Sequence, residues 1–196
     1  MVRDIGDNAE ITSVRLNEQA SAPVSPAAGY SHVFVKSDGL YLVNDSDEEI
    51  GPFITGTVDV SARVFNSVDL AVSHNTGTMV GFNGERYDTH SFHVGSSSQL
   101  VCPASGKYLI VGQFAFEANA SGFRRARIIL NGSTSLAHLV EPVPDGTRDT
   151  YFNISTIYNL TAGQYVELEA YQNSGGNLNV LASANASPEF MIQKVG

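Results

Sequence analysis

The run Tyr108-Leu109-Ile110-Val111-Gly112-Gln113-Phe114-Ala115-Phe116 is too apolar for a strand with one wet face. Side chains alternate across a β-strand. Tyr108, Ile110, Gly112, Phe114 and Phe116 therefore share one side, and Leu109, Val111, Gln113 and Ala115 share the other. Both sides are largely apolar. Two other runs alternate cleanly. In 125–130, Ala126, Ile128 and Leu130 oppose a side that carries arginines; in 165–170, Val166, Leu168 and Ala170 oppose Glu167 and Glu169. Such strands bury one face and leave the other, here including both glutamates, in solvent. Phe190-Met191-Ile192 is again apolar on both sides. One sheet with a wet outside and another apolar on both faces leaves a face uncovered. A further copy of the chain is the common cover.

Working outward, strand-like runs recur from about Thr57: 59–72, 77–82, 99–101, 107–116, 124–130, 135–140, 151–160, 165–172, 178–182 and 189–195. Turn sequences separate several of them, namely Asn131-Gly132, Pro144-Asp145-Gly146, Thr161-Ala162-Gly163 and Ser174-Gly175-Gly176. No stretch holds a helical period with caps. Many short strands at this spacing predict an all-β sandwich or barrel.

Upstream, Ser31-His32-Val33-Phe34-Val35 and Leu40-Tyr41-Leu42-Val43 flank the turn Ser37-Asp38-Gly39 and read as a small hairpin. The acidic run Asn44-Asp45-Ser46-Asp47-Glu48-Glu49 reads as a solvated turn. A lone hairpin is marginal in water, so this piece needs something to pack on. Residues 1–29 are polar and end in Ala22-Pro23-Val24-Ser25-Pro26-Ala27-Ala28-Gly29, a stiff linker. Three zones follow: an attachment segment and linker (1–29), a hairpin connector (30–56) and a main domain (57–196).

The formal net charge is −9, which argues against a nucleic-acid backbone or an anionic membrane as partner, since both select a cationic face. No run reaches the ~18 apolar residues of a membrane helix, so no membrane insertion is expected. The start Met1-Val2-Arg3-Asp4-Ile5-Gly6-Asp7-Asn8 lacks the apolar core of a signal peptide. The single cysteine, Cys102, follows Leu100-Val101 and reads as a small buried hydrophobe. There is no nucleophile elbow, Walker loop or dinucleotide fingerprint. His90 and His93 stand at a helical spacing where no helix is expected, which favours a polar surface turn over a metal site. Nor does any acidic loop within 57–196 have calcium-ligand spacing. The chain is thus expected to be no enzyme and to hold no metal or cofactor.

From Ser61 to Gly196 the order of short pieces resembles the complement globular-head and tumour-necrosis-factor superfamily. The pieces are Ala62-Arg63-Val64, then Val80-Gly81-Phe82-Asn83 with Tyr87-Asp88, then Cys102-Pro103-Ala104-Ser105-Gly106-Lys107-Tyr108. Later come Leu130-Asn131-Gly132, the run from Leu160 through Thr161-Ala162-Gly163-Gln164-Tyr165 to Leu168, Tyr171-Gln172-Asn173-Ser174-Gly175-Gly176, and a last strand with Phe190. Gln164 departs from the aspartate frequent there, which removes a charge but keeps the turn. The resemblance implies a ten-strand jelly-roll sandwich that forms a homotrimer, with both termini at the base and binding loops at the far end. It implies that Leu109, Val111, Gln113, Ala115, Asn153, Ser155 and Ile157 face neighbouring subunits. It places the loops 118–123, 143–150 and 173–177 at the apex, offering Asn119, Arg124, Asp145, Arg148, Asp149, Asn173 and Asn177 to a sugar or a polar protein surface.

Residues 11–54 resemble a segment of bacteriophage fibre proteins, through Leu16-Asn17-Glu18-Gln19-Ala20, Pro26-Ala27-Ala28-Gly29-Tyr30 and Val35-Lys36-Ser37-Asp38-Gly39-Leu40-Tyr41. Together the two resemblances imply a virion protein of the tail-fibre, head-fibre or capsid-decoration type. It would be made in the host cytoplasm, joined to other virion proteins through its N-terminal segment, and displayed on the particle for host attachment or shell binding. The alternative is a secreted or cell-surface complement-head-like lectin or ligand.

Overall fold

A computed structural model of the chain describes residues 19–51, 53, 59–142, 146–186 and 188–196. The chain divides into two compact units, Met1–Val58 and Asp59–Gly196.

In the first unit, strands β1 (Ser31–Lys36), β2 (Gly39–Asn44) and β3 (Glu49–Ile50) form an antiparallel sheet in that order. The acidic run is not wholly a turn. Asn44 Oδ1 accepts from the amides of Ser46 and Glu48, closing a loop that returns the chain as β3. Phe34, Tyr41 and Val43 are buried on one face with Ala22 against them. Phe34 and Tyr41 stack at 5.7 Å, and the Lys36 ammonium lies over both rings while pairing with Glu49.

The second unit is an all-β jelly-roll sandwich. Its strands are β4 (Ser61–Phe65), β5 (Leu70–Val72), β6 (Thr78–Met79), β7 (Gly84–Asp88), β8 (Gln99–Val101), β9 (Gly106–Phe116), β10 (Phe123–Leu130), β11 (Thr134–Pro142), β12 (Thr150–Leu160), β13 (Tyr165–Gln172), β14 (Leu178–Val180) and β15 (Glu189–Lys194). One sheet runs β11–β10–β13, with β6 and β8 along the free edge of β13. In the other, β9 is central: β12 pairs one edge, and β15–β4–β7 and β14–β5 share the opposite edge. The run expected as one strand over 59–72 is broken. The Asn66 amide donates to Pro188 O while Asn66 Oδ1 accepts from the Val68 amide, and this turn separates β4 from β5.

The core is what alternation predicts. Tyr108, Ile110, Phe114 and Phe116 of β9 are buried between the sheets with Ala126, Ile128 and Leu130 of β10 and Val166, Leu168 and Ala170 of β13. Phe114 stacks on Phe152 at 5.1 Å and Phe82 on Phe190 at 5.9 Å. At Gly112 the opposite sheet packs against the backbone: a β-carbon there would lie 2.6 Å from Leu168 Cδ1. Cys102 is buried, as its apolar neighbours suggest.

Two tyrosines carry a pH consequence. The Tyr41 hydroxyl donates to Asp38 at 2.7 Å, and that bond, with burial and the nearby carboxylates, pushes its pKa up to about 12. Burial, above all, also pushes Tyr108 up; its hydroxyl donates to Ala104 O at 2.7 Å. For both, the folded protein holds the neutral form more firmly than the unfolded chain does. Their contribution to stability is therefore complete below the ordinary tyrosine pKa of ~10 and is lost as pH rises beyond it. An ultraviolet titration should show Tyr41 and Tyr108 ionising late, together with alkaline unfolding. Substitution of Phe at each position should remove one late step. A uniform titration near the ordinary value would contradict the environments described.

Candidate functional site

Two surfaces of the second unit collect the residues singled out above. The first is the outward face of the sheet centred on β9. Register fixes its rows: Tyr151 opposes Ala115, Asn153 opposes Gln113, Ser155 opposes Val111 and Ile157 opposes Leu109. On the other edge of β9, Met191 lies beside Val111 and Gln193 beside Leu109. Directly opposed residues on neighbouring strands share a face. The β12–β9 half of this face thus carries Tyr151, Asn153, Ser155, Ile157, Leu109, Val111, Gln113 and Ala115, with no charge among them. Tyr151 is 68% exposed and Ile157 63%, while Ala115 is buried and Leu109, Val111 and Gln113 are half-buried. An open pocket of about 290 Å³ lies here, lined by Gln113, Phe114, Tyr151, Phe152 and Asn153.

Charge enters the face at its end, where Lys107 of β9 opposes Asn159 of β12, and toward β15 and β4. Glu189, fully buried, accepts from Arg63 Nε at 2.6 Å and from Arg86 at 3.1 Å. Arg86 also lies over the Phe65 ring at 4.3 Å and donates to Ala184 O. Sequence reasoning missed this cluster because its members come from three strands far apart in the chain.

The second surface is the loop end. The segments around 118–122, 146–149 and 173–177 do meet. The Phe123 amide donates to Asn173 Oδ1 at 2.6 Å, and a β-carbon at Gly146 would come within 2.7 Å of Ala120. A fourth segment joins them that the sequence did not single out. Gly175 N donates to His74 Nδ1, and the Tyr171 hydroxyl donates to Asn75 Oδ1.

Of the candidate contact residues, Arg148 and Asn177 are exposed, and Asp149 is half-buried. Asn119 and Asn173 spend their side-chain oxygens on loop amides, those of Ser121 and Phe123. Asp145 lies outside the described residues. Arg124 is a correction. It is fully buried inside β10, where its guanidinium donates to the carbonyls of Ser121 (2.9 Å), Phe123 (3.1 Å) and Asn119 (3.2 Å). Burial lowers its pKa. Its register partner Gln172, also fully buried, donates to Val72 O and Gly176 O and accepts from Ser174 N. This pair closes the end of the core and holds two of the loops from beneath.

Two further expectations change. Glu167 and Glu169 do point away from the core, but both are buried rather than wet. Arg125 and Arg127 on the adjacent strand close over Glu169, and Ser98 donates to Glu167 at 2.6 Å. The hydrogen bond to Glu169 raises the Arg127 pKa. His93 is no surface residue: its ring is buried between Glu85 Oε1 (3.0 Å) and Ser97 O (3.1 Å), while His90 is exposed. Among the described residues, no three of His, Cys, Asp and Glu cluster as metal ligands would.

Residues 59–196 are a jelly-roll domain of the kind shared by tumour-necrosis-factor-like ligands and complement globular heads. Three solved structures carry that statement. The Eiger TNF of S. frugiperda superposes with a TM-score of 0.55 at 13% identity, covering 70% of this chain and 93% of its own. Murine APRIL gives 0.55 at 11% identity, with 70% and 99% covered. The globular domain of zebrafish complement 1qA gives 0.54 at 14% identity, with 70% and 98% covered. At these identities the likeness is one of fold. No known family profile matches the chain. In sequence, 88 residues are 32% identical to an uncharacterized protein of Acanthamoeba polyphaga mimivirus. That match spans 43% of this chain and 37% of the viral protein.

Proposed function

We propose that the chain is a virion structural protein of the phage fibre or decoration type, with the jelly roll as the head of a homotrimer. The observation that carries this reading is the uncharged stretch of that half-face, 109–115 of β9 against 151–157 of β12. An isolated domain gains nothing by holding Ile157 and Tyr151 in water beside Leu109 and Val111, whereas a neighbouring subunit would bury them. In that trimer Leu109, Val111, Gln113, Ala115, Asn153, Ser155 and Ile157 face the neighbours. Residues 1–29 join other virion proteins and 30–56 connect.

The loop end, with Asn119, Arg148, Asp149, Asn173 and Asn177, meets a host-surface glycan or protein. Contacts of this polar kind are individually weak. Three copies per trimer and many trimers per particle turn them into strong attachment. A 32% identity to a viral protein supports a virion setting, and a net charge of −9 suits a crowded, solvent-facing surface. The work done is binding, with no cofactor. A second reading, a secreted complement-head-like lectin or ligand, draws on the likeness to Eiger and complement 1qA.

Light scattering of the purified chain should give three times the chain mass of 20.9 kDa. Gold-labelled antibody should then decorate intact particles at regular positions. A trimer absent from particles would favour the second reading, and a monomer would remove both.

A further inference from the structure

The three-stranded sheet of the first unit has a second face that its own buried cluster does not use. In register, Val33 opposes Leu42, which opposes Ile50, and Val35 opposes Leu40 in the next row. These residues lie on the side opposite Phe34, Tyr41 and Val43. Val33 is 51% exposed and Ile50 41%, while Val35, Leu40 and Leu42 are half-buried. The remaining row, Ser31 opposite Asn44, is polar but uncharged. The charged residues of the strands, Lys36 and Glu49, belong to the other face, where they are bridged to each other. Asp38, Asp45, Asp47 and Glu48 stand in turns.

We infer that this face is where copies of the chain pack on one another through Val33, Val35, Leu40, Leu42 and Ile50. The inference rests on the trimer reading above and extends it to the first unit. Three arguments select a second copy as occupant. The first is charge. Copies of a chain with net charge −9 repel across an acidic surface, and this face lets them approach with no unpaired charge. The second is sufficiency. Among the described residues, Phe34, Tyr41 and Val43, with Ala22, are a small core for a sheet of three short strands, and such a sheet needs more burial than that to persist in water. The third is tethering. Phe53 stands six residues before Asp59, a reach of at most ~22 Å. Three joined heads would hold three of these sheets in one small volume, at an effective concentration in the millimolar range.

The test uses the full chain carrying Leu42→Cys, at the centre of the face, and His32→Cys, exposed on the opposite face, as control. Cys102, the only native cysteine, is buried and should stay unreacted. Mass is measured by light scattering before oxidation with diamide, and products are resolved on a non-reducing gel. The expected result is a trimer in which Leu42→Cys gives covalent dimer in roughly tenfold excess over His32→Cys. A trimer with no such excess overturns this inference and leaves the head trimer standing. A monomer overturns both. In a second variant, Leu42→Asp, amide exchange over 31–50 should rise by roughly tenfold or more while the mass stays that of a trimer. Exchange unchanged from the native chain also overturns the inference.

Discussion

Val111→Arg is expected to yield a soluble, β-rich species of one-chain mass, whereas Ile110→Arg should yield mostly aggregate. The two residues are neighbours in β9 and differ only in the side they take. Ile110 is fully buried between the sheets, with Thr156 and Ile192 as its register partners. An arginine there would put an unpaired charge into the core of the domain itself. Val111 points outward, flanked by Ser155 and Met191, and is only half-buried in a single chain. One chain can therefore hold an arginine at 111 in water at little cost. In a trimer the same arginine enters a dry contact without a partner. An uncompensated buried charge costs roughly 3–5 kcal/mol, and three-fold symmetry repeats it at each interface. Light scattering and circular dichroism on both variants separate the outcomes. Val111→Arg at full trimer mass would mean that the β12–β9 half-face is not the contact. Exchanged behaviour of the two variants would reverse the assignment of faces.

Alternation carried most of the fold. In β9, β10 and β13 the side turned into the core is the one read from the sequence, because packing between two sheets leaves no freedom in a period of two. Cover was not legible. The period says that Glu167 and Glu169 leave the core, but what closes over Glu169 comes from Arg125 and Arg127 on β10, some forty residues earlier. Strand β7 escaped for a related reason. Gly84-Glu85-Arg86-Tyr87-Asp88 is mostly polar, and it is fixed by tertiary partners: Arg86 to Glu189, Glu85 to His93, and Asp88 to the amides of Phe92 and His93. The signal for Arg124 was present and went unread. It shares the side of Ala126, Ile128 and Leu130, so alternation alone places it inward. The loop end behaved differently again. Its segments 118–123, 143–150 and 173–177 were expected from the resemblance to a jelly-roll superfamily, while Ser73-His74-Asn75-Thr76 joined through bonds to Gly175 and Tyr171 that no local pattern announces.

That inward Arg124 sets the last expectation: Arg124→Ala should destabilise the jelly roll by roughly 3–5 kcal/mol. Its guanidinium satisfies three carbonyls of 119–123 and lies over the Phe116 ring at 5.8 Å. Truncation would take a donor from each of those carbonyls and open a cavity beside an aromatic core. Arg124→Lys keeps the charge but not the planar fork, so it should recover only part of the loss. Because Arg124 and Gln172 hold adjacent loops, Gln172→Ala should add to the Arg124 effect less or more than independently, and a double-mutant cycle measures that coupling. Thermal unfolding gives the stability, and amide exchange should quicken first over 119–123. A surface recognition residue would behave in the opposite way, with unfolding unmoved and only attachment weakened. An Arg124→Ala protein within ~0.5 kcal/mol of the native chain would therefore restore the surface role and refute the clamp.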